Sequence, residues 1–177
     1  TDHPNGGPFT WYPHLIRLLM DKAFRNDMMQ KINPDALKYS TLASLDREYT
    51  LYEIAIMTRA GPARSLGLKD RGHLGIGACA DITVYDDNPD REAMFTTPEL
   101  LFKNGELIVR NGKIIKVVNG ATHVARPSYD QSIVKSLKPY FEDYHTVRMD
   151  NFRLADDEII NGGRGSLIIQ PTGARAA

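Results

Sequence analysis

Chemistry-bearing side chains stand closest together at the start of the chain, Thr1-Asp2-His3-Pro4-Asn5-Gly6-Gly7. A carboxylate beside an imidazole can hold a divalent metal or pass a proton, in a loop that Pro4 stiffens and Gly6-Gly7 loosens. On spacing alone, an Asp-His pair in a Gly/Pro loop is more often a surface turn than a site. Phe9, Trp11 and Tyr12 follow at once. They either wall a pocket or pack ahead of a helix.

Elsewhere the signals are weaker. His14, His73, His123 and His145 show neither His-x-His nor His-x-x-x-His spacing, so a metal site made within this chain alone is not expected, and these histidines read as surface or packing residues. The single Cys79 precludes an internal disulfide, suits a reducing, cytoplasmic setting, and reads as a buried small hydrophobe. Gly72-His73-Leu74-Gly75-Ile76-Gly77 fails as a phosphate loop because a strand pattern follows it where a helix is needed, which leaves Gly75 and Gly77 as turn glycines. Gly162-Gly163-Arg164-Gly165 is too short for an RNA-binding repeat. Lys plus Arg (22) equals Asp plus Glu (22), which argues against a nucleic-acid or anionic-membrane partner. Apolar runs such as Leu107 to Val109 are far too short to span a bilayer. The opening has no Met and no signal-peptide pattern, so the chain is expected to begin inside a functional loop.

Three regions would position these residues. Residues 1–70 read as mostly helical. Leu15, Ile16, Leu19 and Ala23 predict one helix over Pro13 to Ile32, stopped by Asn33-Pro34. Thr50 and Glu53 form a capping box for a helix to Arg59 with Leu51, Ile54 and Met57 on one face; Gly61-Pro62 should end or kink it, before a turn at Ala63 to Leu66. Residues 71–126 turn to strands. Ile82 and Val84 share a face, and Asn-Gly pairs at 104–105, 111–112 and 119–120 predict a β-meander through Glu106 to Arg110 and Lys113 to Val118. Residues 127–177 hold a short helix and a tail. The stripe Ile133, Leu137, Phe141 reads as packed on its own subunit, with an assembly surface as the alternative. From Asn161 the Gly-rich end should be poorly ordered unless it docks on something. No internal repeat is present.

The stretch Met57-Thr58-Arg59-Ala60-Gly61-Pro62-Ala63-Arg64-Ser65-Leu66-Gly67-Leu68, followed by Gly72-His73-Leu74-Gly75-Ile76-Gly77-Ala78-Cys79-Ala80-Asp81-Ile82-Thr83-Val84, resembles the amidohydrolase superfamily. There the last barrel helix ends in a T-x-x-P-A-R-x-L-G-L run and a G-x-I-x-x-G-x-x-A-D-I-x-V strand re-enters a β-sandwich. Gly61 departs from the Asn often found at its position, a difference that touches helix termination rather than chemistry. Thr1-Asp2-His3-Pro4 resembles the end of the eighth barrel strand. The longer run to Thr10 resembles the family of A-type subunits found in formylmethanofuran dehydrogenase and in the formyltransferase/hydrolase complex, over most of residues 1 to about 158.

The resemblance implies an α/β fold: the C-terminal remnant of a metal-dependent (β/α)8 amidohydrolase barrel (1–70), part of the side β-sandwich (71–126), and a C-terminal helix and tail (127–177). It implies zinc, two ions held by histidines, a carboxylated lysine and the residue matching Asp2. Asp2 would be ligand and catalytic base, and His3 and Asn5 would contact substrate, a formylated methanofuran-type carrier cleaved to formate in one-carbon metabolism. Partners would be the other subunits of either complex, the hydrolase complex being favoured. The alternatives are another cyclic amidohydrolase of the dihydropyrimidinase or dihydroorotase kind, disfavoured because Asn5-Gly6-Gly7-Pro8-Phe9 lacks an early histidine, and a non-catalytic scaffold. With most of a closed barrel missing, the 177 residues alone are expected to aggregate or stay molten.

Overall fold

The computed structural model describes residues 5–144, 146–152, 155–163, 165–170 and 172. By its contacts the mixed α/β chain divides into two compact units, Thr1–Val117 and Val118–Ala177.

In the first unit, Pro8 leads through a 3-10 turn at Phe9–Trp11 into α1 (Tyr12–Met20), which carries Pro13 in its first turn, where a missing N–H costs nothing. The single helix expected over Pro13 to Ile32 is two. Asp21 leaves helical geometry (φ −127°, ψ 101°), and its carboxylate accepts from Phe24 N at 2.8 Å to start α2 (Lys22–Lys31). An aspartate prefers to cap rather than to continue a helix, and here the cap wins. The junction is locked by Arg25, whose exposure is 0%. Its guanidinium donates to the carbonyls of Leu18 (2.8 Å) and Leu19 (3.4 Å) at the end of α1, and to those of Leu45 and Arg47 (2.9 Å each). A cation there also complements the negative end of α1. Tyr49 N donates to Leu19 O (3.0 Å) and Lys22 N to Glu48 Oε1 (2.8 Å), so the 45–49 segment wraps the junction.

After the short α3 (Pro34–Leu37), the expected capping box is present. Thr50 Oγ1 accepts from Glu53 N (3.2 Å) and the Glu53 carboxylate accepts from Thr50 N (2.9 Å), opening α4 (Leu51–Ala55). Gly61-Pro62 does not stop this helix. The turn widens to π geometry over Ile56–Ala60, which accommodates the proline before α5 (Gly61–Ser65).

The sheet is an antiparallel meander in the order β1 (Ile82–Val84), β2 (Leu100–Lys103), β3 (Glu106–Arg110), β4 (Lys113–Ile114). Asn104-Gly105 and Asn111-Gly112 turn its hairpins with positive φ at both residues, as the sequence predicts. The strand expected through Val118 is only two residues long, and Asn119-Gly120 closes no hairpin but lies in the second unit, just before its first strand. Between β1 and β2 lies α6 (Arg91–Thr96), unforeseen in the sequence, capped by Asp90, which accepts from Glu92 N (2.9 Å) and Ala93 N (3.2 Å).

The second unit begins with β5 (Ala121–Ala125), continues through α7 (Ile133–Tyr144) and α8 (Asp156–Gly163), and returns as β6 (Ser166–Gln170). β6 pairs in parallel with β5, Ala121 opposite Ser166 through Ala125 opposite Gln170. Of the Gly-rich end, expected to be poorly ordered unless it docks, the segment Ser166–Gln170 does dock, through the short apolar run Leu167-Ile168-Ile169. Gly165 must be glycine, since a Cβ there would overlap the Gly120 carbonyl oxygen. Among the described residues the buried apolar side chains are Ile54, Ala63 and Val109, all in the first unit.

Candidate functional site

Asp2 and His3, the residues singled out for chemistry, lie outside the described residues, as does His145. Asn5 is exposed in a turn. From there Pro8 O accepts Trp11 N at 3.0 Å, so the opening loop runs directly into α1. That helix is fastened to α6: His14 Nδ1 lies 3.3 Å from Glu92 Oε1, and Arg17 pairs with Asp90 (3.4 Å) and Glu92 (3.8 Å) as well as with Asp21 (3.3 Å). Arg17 also lies over the Phe24 ring, 4.1 Å from its centroid. α1 thus has a fixed position on the sheet's connecting helix. His14 is part of this fastening rather than a bare surface residue.

Phe9, Trp11 and Tyr12 stand at 58%, 57% and 46% exposure. The groove of about 600 Å³ in this unit lies elsewhere, against Met29, Ile32, Leu37 and Ala43.

The signature run 70–85 forms a polar knot. Asp81 accepts from Lys103 Nζ (2.6 Å), Asn104 N (2.8 Å) and Arg71 (3.1 Å), and Gly105 N donates to Ala80 O (2.9 Å). Partial burial pushes the Asp81 carboxyl up, but the Lys103 and Asn104 bonds and the nearby Arg71 charge outweigh it and hold it below the usual carboxylate range. Asp81 therefore sets the hairpin's place. Gly72 is the glycine the knot needs most: its φ is +77°, and a Cβ would fall 2.7 Å from Arg59 O and 2.8 Å from Ala63 Cβ. Gly77 has the positive φ expected of a turn glycine, whereas Gly75 does not.

Cys79 is half-buried rather than buried, and its thiol donates to Asp70 Oδ2 at 3.1 Å. That bond, with burial, holds the thiol above its ordinary range, so Cys79 is not poised as a nucleophile. His73 Nε2 reaches Lys69 O (3.0 Å) while Nδ1 accepts from Gly75 N (3.1 Å), a pattern that suits the neutral Nε2–H tautomer. Gln170 Nε2 lies 2.7 Å from His123 Nδ1 between β5 and β6. Among the described residues no three of His, Cys, Asp and Glu stand close enough to share a metal ion, so these residues do not form a metal site by themselves.

Residues 1–115 match the model of the amidohydrolase family. The chain is 41% identical over 156 residues to the A-type subunit of the formyltransferase/hydrolase complex Fhc of Methylorubrum extorquens, covering 88% of this chain and 28% of that protein. It is 37% identical over 169 residues to protein FwdA of Methanocaldococcus jannaschii, covering 89% and 30%. Among solved structures it is similar to the formyltransferase/hydrolase complex FhcABCD from Methylorubrum extorquens in complex with methylofuran (TM-score 0.78, 38% identity, 98% of this chain and 32% of that one). The chain spans under a third of the length of each of these relatives.

Proposed function

Because the chain belongs to the amidohydrolase family, we propose that it is part of a hydrolase subunit that cleaves a formamide, the formylated amine of a furan-type carrier, to formate in cytoplasmic one-carbon metabolism. The observation that carries this reading is the 41% identity to the A-type member of a formyltransferase/hydrolase complex, together with a family match that begins at residue 1 and so takes in Thr1-Asp2-His3-Pro4. The methylofuran bound in the similar complex supports the carrier class. On this reading α1 to α5 belong to the end of a (β/α)8 barrel and β1 to β4 to its side sandwich, with the rest of the barrel in the longer protein.

Asp2 is the group this chain brings to the reacting atoms. It accepts the proton of the attacking water as the new O–C bond forms at the formyl carbon, and returns it to the amine nitrogen as the C–N bond breaks. His3 and Asn5 contact the carrier. Asp2 would also be this chain's ligand to a zinc site completed by residues of the longer protein, and zinc there would supply acidification of a water. The other subunits of a formyltransferase/hydrolase complex are the partners, in preference to those of a dehydrogenase.

The test is product analysis on the full-length protein with an N-formylated furfurylamine carrier and, in parallel, a dihydropyrimidine. Formate release with no ring opening is expected. Ring opening without formate would replace the reading with that of a cyclic amidohydrolase, and inertness toward both would leave a scaffold.

A further inference from the structure

Pro8 stands six residues after Asp2, and Gly6 and Gly7 lie between them. A stretch with two glycines has little stiffness of its own and takes its place from what it is joined to. At its far end it is joined to α1 without a break. Trp11 N donates to Pro8 O at 3.0 Å and Tyr12 N to Phe9 O, so helical geometry runs from Phe9 to Met20. A shift of α1 is therefore passed to the loop that leads into it.

One face of α1 is held by α6. Trp11, His14 and Arg17 recur every three residues and share that face. His14 Nδ1 lies 3.3 Å from Glu92 Oε1, and Arg17 reaches Asp90 at 3.4 Å and Glu92 at 3.8 Å. A carboxylate only accepts, so the His14 contact suits a proton on Nδ1. Phe24 of α2 backs the cluster, its ring edge-on to His14 at 5.2 Å and under the Arg17 guanidinium. α6 is in turn tied to the sheet. Asp90 gives one carboxylate oxygen to the amides of Glu92 and Ala93 and the other to Arg17. Tyr85, next after β1, meets the Phe95 ring at 5.0 Å, and Glu99 N donates to Val84 O at 2.9 Å. The clamp thus joins the helix behind the opening loop to a helix of the sheet 73 to 78 residues further along the chain.

Its four side chains are between 26% and 47% exposed, so water screens the ion pairs and they add little to stability. Catalysis is far more sensitive to place than folding is: a shift of about 1 Å at a reacting group can cost about 100-fold in rate. A contact weak in energy but defined in geometry therefore matters more to rate than to stability.

We propose that Glu92 and Asp90 are positioning residues for the hydrolysis: through His14 and Arg17 they hold α1, and with it the end of the loop that carries Asp2. The inference rests on the reading of Asp2 as the proton-transferring carboxylate.

The experiment uses the full-length protein with its companion subunits. It compares wild type with Glu92→Ala, with Glu92→Gln and, as a control on an exposed ion pair of α2, with Lys31→Met. For each, kcat and KM of formate release from the formylated carrier, the melting temperature and amide hydrogen exchange are read. Glu92→Ala should lower kcat about 10-fold or more with KM and melting as in the wild type, and exchange should quicken in Phe9 to Met20 but not in β2 and β3. Glu92→Gln keeps an acceptor oxygen for His14 and Arg17 and should recover most of the loss. Lys31→Met should match wild type. Unchanged kcat in Glu92→Ala overturns the inference. So does a lower melt with faster exchange through the whole first unit, the mark of general loosening, and so does a raised KM with kcat unchanged, which would assign the contact to carrier binding. A wild type that releases no formate overturns the hydrolase reading itself, and the positioning role falls with it.

Discussion

Arg25 and Arg126 both tie together segments far apart in sequence, and the difference between them separates the two halves of the molecule. Arg25 is wholly buried and gathers four carbonyl oxygens from the end of α1 and the 45–49 segment. Arg126 joins the end of β5 to α8 through Asp156, with both side chains nearly half exposed. In the first place water is excluded, and of the carbonyls released only Leu19 O would keep a donor, Tyr49 N. In the second, water replaces whatever is lost. The first unit thus has a buried polar junction, while the described residues of the second are joined by a strand pair, ring contacts such as Phe141 with Phe152, and solvent-screened ion pairs.

The largest stability effect should follow from removing the buried guanidinium. Arg25→Met in the full-length protein should cost about 3–5 kcal/mol by urea unfolding, because the carbonyls of Leu18, Leu45 and Arg47 lose their donor while Leu19 O keeps Tyr49 N. Arg126→Ala in the same assay should cost less than about 1 kcal/mol. Equal losses would erase the contrast. Gly165→Ala should lie between, about 1–3 kcal/mol, from the overlap with the Gly120 carbonyl. Hydrogen exchange should show its effect confined to β5 and β6; loss of protection in α1 or α2 would mean the units are not independent.

The smallest effect is a pH slope at the start of α4. Arg47, then the Thr50 amide and hydroxyl, holds Glu53 down at about 2, against an ordinary value of 4.5. A depressed carboxyl contributes stability that is complete above the ordinary value and is lost as pH falls through the folded one, so the contribution fades between 4.5 and about 2. Glu53→Gln should flatten the melting temperature across that window and leave the pH dependence above it as in the wild type.

The features legible in the sequence are those whose partners lie close along the chain. The Thr50–Glu53 capping box and the Asn104-Gly105 and Asn111-Gly112 turns are settled within four residues, and all three are present. The break at Asp21 is also local, but the apolar spacing from Leu15 to Ala23 runs straight through it and masks the cap. α6 is only six residues, too short for periodicity, although Asp90 before Arg91-Glu92 is a legible cap. The pairing of β6 with β5 and the burial of Arg25 depend on segments tens of residues away in the chain, and no local pattern carries that information. Asp81 stands in the most recognisable motif of the chain, yet its work is to hold Lys103, Asn104 and Arg71 together. In the candidate site, residue type marks Asp2 and His3, and the role proposed for Asp2 comes from family likeness.

The measurement that bears most directly on that role is formate release by the full-length protein carrying Asp2→Asn, purified with its companion subunits. An amide is close to the carboxylate in size but cannot accept the proton. The assembly should therefore form as in the wild type while hydrolysis of the formylated carrier falls by about 100-fold or more. An intact assembly with near-normal formate release would show that Asp2 carries none of the chemistry assigned to it.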